Sequence, residues 1–248
     1  MPSFSSNFAN KHVLVTGGSK GIGRSIVETF LAEGANVSFC ARTIRGDEFS
    51  LFKGATNGAR AVGSAVDISN PEEIKSWVAG AAKEFGRIDS VIANASPLIG
   101  DATPEAWENS FRADILGLVT LIDASTPFLE ERHGTPLLAL LIRPLRGLKP
   151  YWLKIMPANL ALWACESAPG SIENPNITLP DGTVQLSQYQ IVKRDNYPFY
   201  KSLLDAVPLA RTGAPEEVAN TVIFLASGLA SYINGANIVV DGGMSLFF

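Results

Sequence analysis

Short, continuously apolar runs and longer stretches with a helical period succeed one another along the chain, and that succession predicts the architecture. Val13-Leu14-Val15, Asn36 to Ala41, Ala61 to Val66, Ile88 to Ala93 and Pro136 to Ile142 are compact runs of the kind that strands buried on both faces require. Between them, Ile22 to Glu33, Asn70 to Phe85 and Thr103 to Phe128 repeat apolar residues every three or four positions. The second of these carries a full set of boundary signals. Asn70 is the N-cap, Pro71 opens the helix, Glu72 and Glu73 sit in its first turn, and Gly86 ends it. In the third, Trp107, Phe111, Ile115, Leu118 and Leu121 are expected to share one face. Strands alternating with helices predict an α/β fold, a single doubly wound Rossmann domain over residues 1–248 with a seven-stranded parallel sheet and helices on both faces.

Composition narrows the function classes. With 46% apolar residues and a net charge of −4, the chain can bury a large core and presents no basic surface, so neither disorder nor a nucleic-acid partner is expected. The two cysteines, Cys40 and Cys165, have no metal-ligand spacing, which points to a reduced setting and no metal. Met1 to Lys11 contains no basic segment leading into an apolar one, and no run reaches membrane-spanning length, so the expectation is a cytoplasmic protein without a membrane partner.

Candidate chemistry begins at Thr16-Gly17-Gly18-Ser19-Lys20-Gly21-Ile22-Gly23, between the first apolar run and the first helical stretch. A strand, a glycine turn and a helix start make a nucleotide phosphate site, because the backbone must come close to a pyrophosphate while free amides of the first helical turn face it. Gly17, Ser19, Gly21, Ile22 and Gly23 are therefore candidate cofactor contacts. The second apolar run ends at Ala41-Arg42, where an acidic residue would hold a free ribose 2′-hydroxyl and a cation would instead pair with a 2′-phosphate. Arg42 favours NADP(H); its alternative is a solvated surface charge.

The Gly-x-x-x-Gly-x-Gly spacing after Thr16 resembles the short-chain dehydrogenase/reductase family. Further segments repeat the resemblance: Ala93-Asn94-Ala95-Ser96, and above all Pro208 to Val218, Phe224 to Ser227, Tyr232 to Gly235 and Val239 to Gly243. The resemblance implies NADP(H)-dependent hydride transfer to a small-molecule substrate, and in the family a basic residue just before the second glycine, here Lys20, adds to the preference for NADP(H), with a solvated surface charge as its other reading. It places Asp67 and Ile68 beside the adenine, with a turn cap as the other reading of Asp67, and makes Asn94 a brace beside the cofactor. Asn176 to Thr183 resembles the family's sixth strand and its Pro-Gly turn, so Pro180 and Thr183 are expected to pass the nicotinamide. Residues 184–207, polar and aromatic without a strong period, stand where the family covers its substrate. Pairing through the last helix and strand, Pro215 to Phe248, implies a homodimer or homotetramer.

The resemblance breaks at the catalytic residues. Between Pro136 and Pro150 there is no Ser or Thr to match the family's serine, and the run leads instead into Arg143 and Arg146. Counting back twelve residues from Glu166 assigns the catalytic lysine to Lys154, but the residue four before it is Pro150, and Tyr151 lies three before. A residue three positions away points about 100° from one four away, so the Tyr151 hydroxyl is displaced; packing is its alternative role. Asp114 stands where the family carries an asparagine of the proton relay, or is an ordinary helix-surface acid. These residues predict a polar catalytic cluster of Asp114, Arg143, Tyr151 and Lys154. Three function classes remain open: a reductase of a carbonyl or imine, a non-redox or bifunctional cyclase using the same pocket, and a catalytically silent NADP(H)-binding protein.

Overall fold

A computed structural model of the chain describes residues 8–44, 52, 55, 58–97, 103–130, 137–138, 162–166, 172, 176–178, 183–186, 188–205 and 207–244. They form β1 (His12–Thr16), α1 (Gly21–Ala32), β2 (Asn36–Ala41), β3 (Ala61–Ala65), α2 (Pro71–Phe85), β4 (Ser90–Ile92) and α3 (Pro104–Ser110). A π-helical turn (Phe111–Leu116) joins α3 to α4 (Gly117–Glu130), followed by β5 (Leu137–Leu138), β6 (Leu162–Glu166), β7 (Ile177–Thr178) and β8 (Val184–Gln185). Then come α5 (Gln188–Asp195), α6 (Tyr197–Asp205), α7 (Pro215–Ala226), a 3-10 turn (Gly228–Ala230) and β9 (Asn237–Val239).

The main sheet runs in the order β3-β2-β1-β4-β5-β6-β9 with every pairing parallel. Strand alternation divides the core in two. Val13, Val15, Val37, Phe39 and Ile92 point to one face, where they pack with Ile26, Val27 and Phe30 of α1 and Val218, Val222 and Leu225 of α7. Leu14, Cys40 and Val91 point to the other, against Ile74, Trp77 and Val78 of α2 and Leu118, Leu121 and Ile122 of α4. Each fully buried aliphatic side chain contributes about 1.5–3 kcal/mol, and a one-residue slip would turn both sets to the wrong face, so the register is strongly fixed.

At the amino end of β1, buried His12 joins three elements: its ring bonds the Ser38 hydroxyl at 2.8 Å and the Arg87 carbonyl, and its backbone amide donates to Asp89 at 2.8 Å. Arg87 pairs with Asp89 in turn. Burial holds the His12 imidazole below its usual range, opposed by the Arg87 carbonyl and the Asp89 charge.

Two expectations are corrected. The strand beside β5 is Leu162–Glu166, not the segment beginning at Asn176. Ile177–Thr178 instead pairs antiparallel with Val184–Gln185, outside the main sheet. The apolar run Leu162-Trp163-Ala164-Cys165 suits a central strand as well as a buried helix, and parallel partners on both sides decide for the strand. Glu166, from which Lys154 is counted, ends this strand, and Lys154 itself lies outside the described residues; the Pro-Gly pair that follows the strand in sequence is Pro169-Gly170. The second correction concerns Trp107 and Phe111, which are 59% and 54% exposed. The π turn adds a residue to one revolution, so the buried stripe runs through Ser110, Ala113, Leu118 and Leu121 instead.

Residues 188–205, expected without a clear period, form α5 and α6. The excursion that carries them leaves and rejoins the fold at one place, because Ile172 and Gly213 form a parallel bridge. Its returning end is tied to the loop after β9, where Leu209 N–H donates to the Gly242 carbonyl at 3.3 Å.

Candidate functional site

The strand order reverses between β1 and β4, and in open α/β sheets ligands bind at the carboxyl ends of the strands flanking such a reversal. The glycine turn occupies that crevice. Gly17 takes φ +70°, a conformation that disfavours any side chain, and its amide donates to the Cys40 carbonyl at 2.7 Å, tying the turn to β2. At Gly23, in the first turn of α1, a Cβ would stand 2.1 Å from the Gly17 carbonyl oxygen, so only glycine lets helix and turn meet. Lys20 is the extended N-cap of α1, with no side-chain cap, and its first turn carries no acid, whereas those of α2 and α7 each carry two. The positive end of α1 thus faces the crevice without a carboxylate of its own helix.

Asn94, beyond β4, closes the other side. Its side-chain amide donates to the carbonyls of Thr16 at 2.8 Å and Gly17 at 3.2 Å, while its backbone N–H donates to the Thr16 hydroxyl at 3.0 Å. Its Oδ1 is buried and has no hydrogen-bond partner among the described residues. An orphaned acceptor beside an uncapped helix start and a glycine cradle fits a dinucleotide whose pyrophosphate lies over Gly17 to Gly23. When bound, such a cofactor supplies or accepts hydride at its nicotinamide ring; the chain's own part is to hold and orient it.

Of the other expected cofactor residues, Ser19 is half-buried, Ile22 is buried, and Lys20 and Arg42 are exposed at the crevice rim. Arg42 follows β2 directly and lies close enough to Asp67 for its charge to act on that carboxylate. Asp67 itself caps a turn: Oδ1 accepts from the Ser69 amide at 2.9 Å and the Ser69 hydroxyl at 2.8 Å. These two bonds, more than Arg42, hold it below the usual carboxylate range against a small opposing cost of burial. Ile68 is half-buried, and its carbonyl abuts the start of α4, where a Cβ on Gly117 would lie 2.3 Å away. Thr183 is exposed just before β8, outside the main sheet. Cys40, under the glycine turn, is no nucleophile, since burial pushes its thiol up to about 12 despite the Gly17 amide.

The expected catalytic cluster is only partly within view. Arg143, Tyr151, Lys154 and Pro180 lie outside the described residues. Asp114 lies on the π-helical turn, half-buried, and accepts a hydrogen bond from the buried Ser110 hydroxyl at 3.1 Å. Ser110 was not anticipated from sequence; a hydroxyl four residues before an acid on a helical stretch was the available signal. Among the described residues there is no cluster suited to a metal, and no helix is long and apolar enough to cross a membrane.

Comparison with known proteins agrees with this geometry. The family model described as short chain dehydrogenase matches residues 11–138, and that described as enoyl-(acyl carrier protein) reductase matches 180–245; the stretch between is matched by neither. Isoepoxydon dehydrogenase of Penicillium expansum is 36% identical over 249 residues, covering 94% of each chain. The 3-oxoacyl-[acyl-carrier-protein] reductase of Chlamydia trachomatis is 29% identical, covering 95% of this chain and 98% of the relative. Among solved structures, L-sorbose reductase from Gluconobacter frateurii, complexed with NADPH and L-sorbose, superposes with a TM-score of 0.74 at 25% identity, covering 97% and 98% of the two chains. A short-chain dehydrogenase/reductase from Serratia marcescens gives a TM-score of 0.77 at 20% identity over 96% of this chain and 99% of that one, a likeness of fold. The glycine turn, the Asn94 brace and these matches together establish that the chain belongs to the short-chain dehydrogenase/reductase family.

Proposed function

We propose that the protein is an NADP(H)-dependent oxidoreductase that transfers hydride between the cofactor and a small organic carbonyl or imine, in a biosynthetic role. The observation that carries this reading is the crevice between β1 and β4, in which Gly17, Gly23 and Asn94 leave room and an open acceptor for a dinucleotide. Ala41, the last residue of β2, occupies the slot where an acid would favour NAD(H), Arg42 follows it as a partner for a 2′-phosphate, and the relative holding NADPH supports the same choice. Isoepoxydon dehydrogenase, a dehydrogenase by name, supports redox chemistry on a small molecule. In this reading Lys154 holds the ribose, Arg143 orients the substrate electrostatically, and Tyr151 lies beside the reacting centre without being its essential acid. Arginine keeps its proton at neutral pH and so cannot be a general acid.

One observation favours a second reading. The stretch that would carry the family's serine, tyrosine and lysine has no hydroxyl from 136 to 150 and is matched by neither family model from 139 to 179. A cyclase using the same pocket, or a silent NADP(H)-binding protein, would need no such residues. Titration with NADPH and NADH, followed by single-turnover absorbance with candidate substrates, separates the readings. Oxidised cofactor supports the reductase, rearranged substrate with intact cofactor marks the cyclase, and binding with neither marks the silent protein.

The reading includes a homodimer or homotetramer. Tyr232 is fully exposed, and Phe224, Leu229 and Val239 are exposed around α7 and the edge strand β9, an apolar surface suited to a second copy. A monomer in sedimentation at micromolar concentration would refute this part.

A further inference from the structure

A hydrogen bond on the π-helical turn bears on what the site accepts. Ser110 is 8% exposed and donates to Asp114 Oδ2 at 3.1 Å. The turn that holds them, Phe111–Leu116, interrupts an otherwise continuous helical stretch from Pro104 to Glu130, and such π turns are frequent at functional sites. Its position fits that role. The stretch begins at Thr103, after the carboxyl end of β4, and three residues past Asp114 the backbone of Gly117 abuts the Ile68 carbonyl beyond β3. Asp114 therefore lies at the carboxyl end of the sheet, on the side where the nucleotide crevice opens.

A neutral amide at this place would suit a carbonyl substrate, whose oxygen gains negative charge as hydride arrives; a carboxylate opposes that charge. The same carboxylate favours a cation. The Ser110 hydroxyl, by donating to it, fixes its direction. We propose that Ser110 and Asp114 form an anionic recognition pair that selects a cationic nitrogen substrate, an iminium, over a neutral ketone, with Ser110 acting as a positioning residue for Asp114. This rests on the reductase reading above. The iminium carbon gains the hydride, the C=N π pair becomes the nitrogen lone pair, and NADPH, the reductant, leaves as NADP+. No proton is required in that step, which accords with a sequence lacking the serine hydroxyl from 136 to 150. The pair's contribution is to keep the imine protonated and bound.

The experiment uses the full chain and the variants Ser110→Ala, Ser110→Thr and Asp114→Asn. Affinities for cyclohexylammonium and cyclohexanol, matched in shape, are read calorimetrically with and without NADPH, and reduction of a cyclic imine and of cyclohexanone is followed with NADPH. The expected result is ammonium binding about tenfold or more tighter than the alcohol, the worth of one hydrogen bond between charged groups. Asp114→Asn removes that preference and shifts reduction towards the ketone; Ser110→Ala weakens it severalfold, and Ser110→Thr restores it. Equal affinity for the two probes in the unaltered protein, or a preference unchanged in both Asp114→Asn and Ser110→Ala, overturns the proposal. Preference for the ketone by the unaltered protein overturns it too. Failure of NADPH to bind while the ammonium preference persists refutes the cofactor reading and supports the pair.

Discussion

Asn94 and Thr16, 78 residues apart in sequence, are joined twice: the Asn94 backbone donates to the Thr16 hydroxyl at 3.0 Å and its side-chain amide to the Thr16 carbonyl at 2.8 Å. The crevice between β1 and β4 is thereby held at one width, with the same amide reaching the Gly17 carbonyl. Asn94→Ala strips the buried Thr16 carbonyl and the part-buried Gly17 carbonyl of a donor and should destabilise the protein by about 2–3 kcal/mol in chemical denaturation. A loss below about 0.5 kcal/mol would mean that the bracing is dispensable.

Two glycines give opposite expectations. Gly23→Ala places a methyl 2.1 Å from a backbone oxygen in the glycine turn and should abolish dinucleotide binding as well as lower stability. Gly80, inside α2, has nothing within 4 Å of an added Cβ. Gly80→Ala should raise stability by about 0.5–1 kcal/mol and leave binding unchanged, as thermal denaturation and cofactor titration would show.

Cofactor choice is testable at one residue. Arg42→Ala should weaken NADPH by more than about 1.5 kcal/mol and NADH little, since a bidentate pair with a phosphate is lost only for the former. Equal losses in titrations of the two cofactors would show that Arg42 does not read the 2′-phosphate. Lys20→Ala should act in the same sense and more weakly.

His12 supplies a pH dependence. Its folded-state value lies below the ordinary 6.5 because the ring is buried, so in mildly acid solution the unfolded chain takes up the proton first. Its contribution to stability is complete above 6.5 and is lost as pH falls through the depressed folded value. Denaturation midpoints compared at about pH 7 and about pH 5 should fall more steeply for the unaltered protein than for His12→Gln, whose side chain does not titrate. Identical pH slopes would exclude His12 as the source.

Where several local signals agreed, the chain could be read directly. At α2 the Asn70 side chain accepts from the Glu72 amide at 3.1 Å and Gly86 takes φ +69°, as a cap and a stop require. The geometry of the glycine turn was equally legible, because an apolar strand, a glycine turn and a helix start leave little choice of conformation. The sixth strand was not. Leu162 to Glu166 has the composition of either a buried strand or a buried helix, and only its neighbours β5 and β9, distant in sequence, settle which. The π turn was also invisible, since one extra residue in a revolution shifts Trp107 and Phe111 to solvent without altering their spacing. Asp67 showed the ambiguity of a short acid after a strand: its turn-capping role is local and needs no ligand.

The bridge between Ile172 and Gly213 makes the forty residues between them a cassette with a single doorway. Lengthening such a loop costs only about 0.6 kcal/mol for each doubling, and among the described residues no strand of the main sheet lies inside it. Changes of length between these two residues can therefore be accommodated while the main sheet keeps its register. In this architecture, insertions and scaffold can be inherited separately.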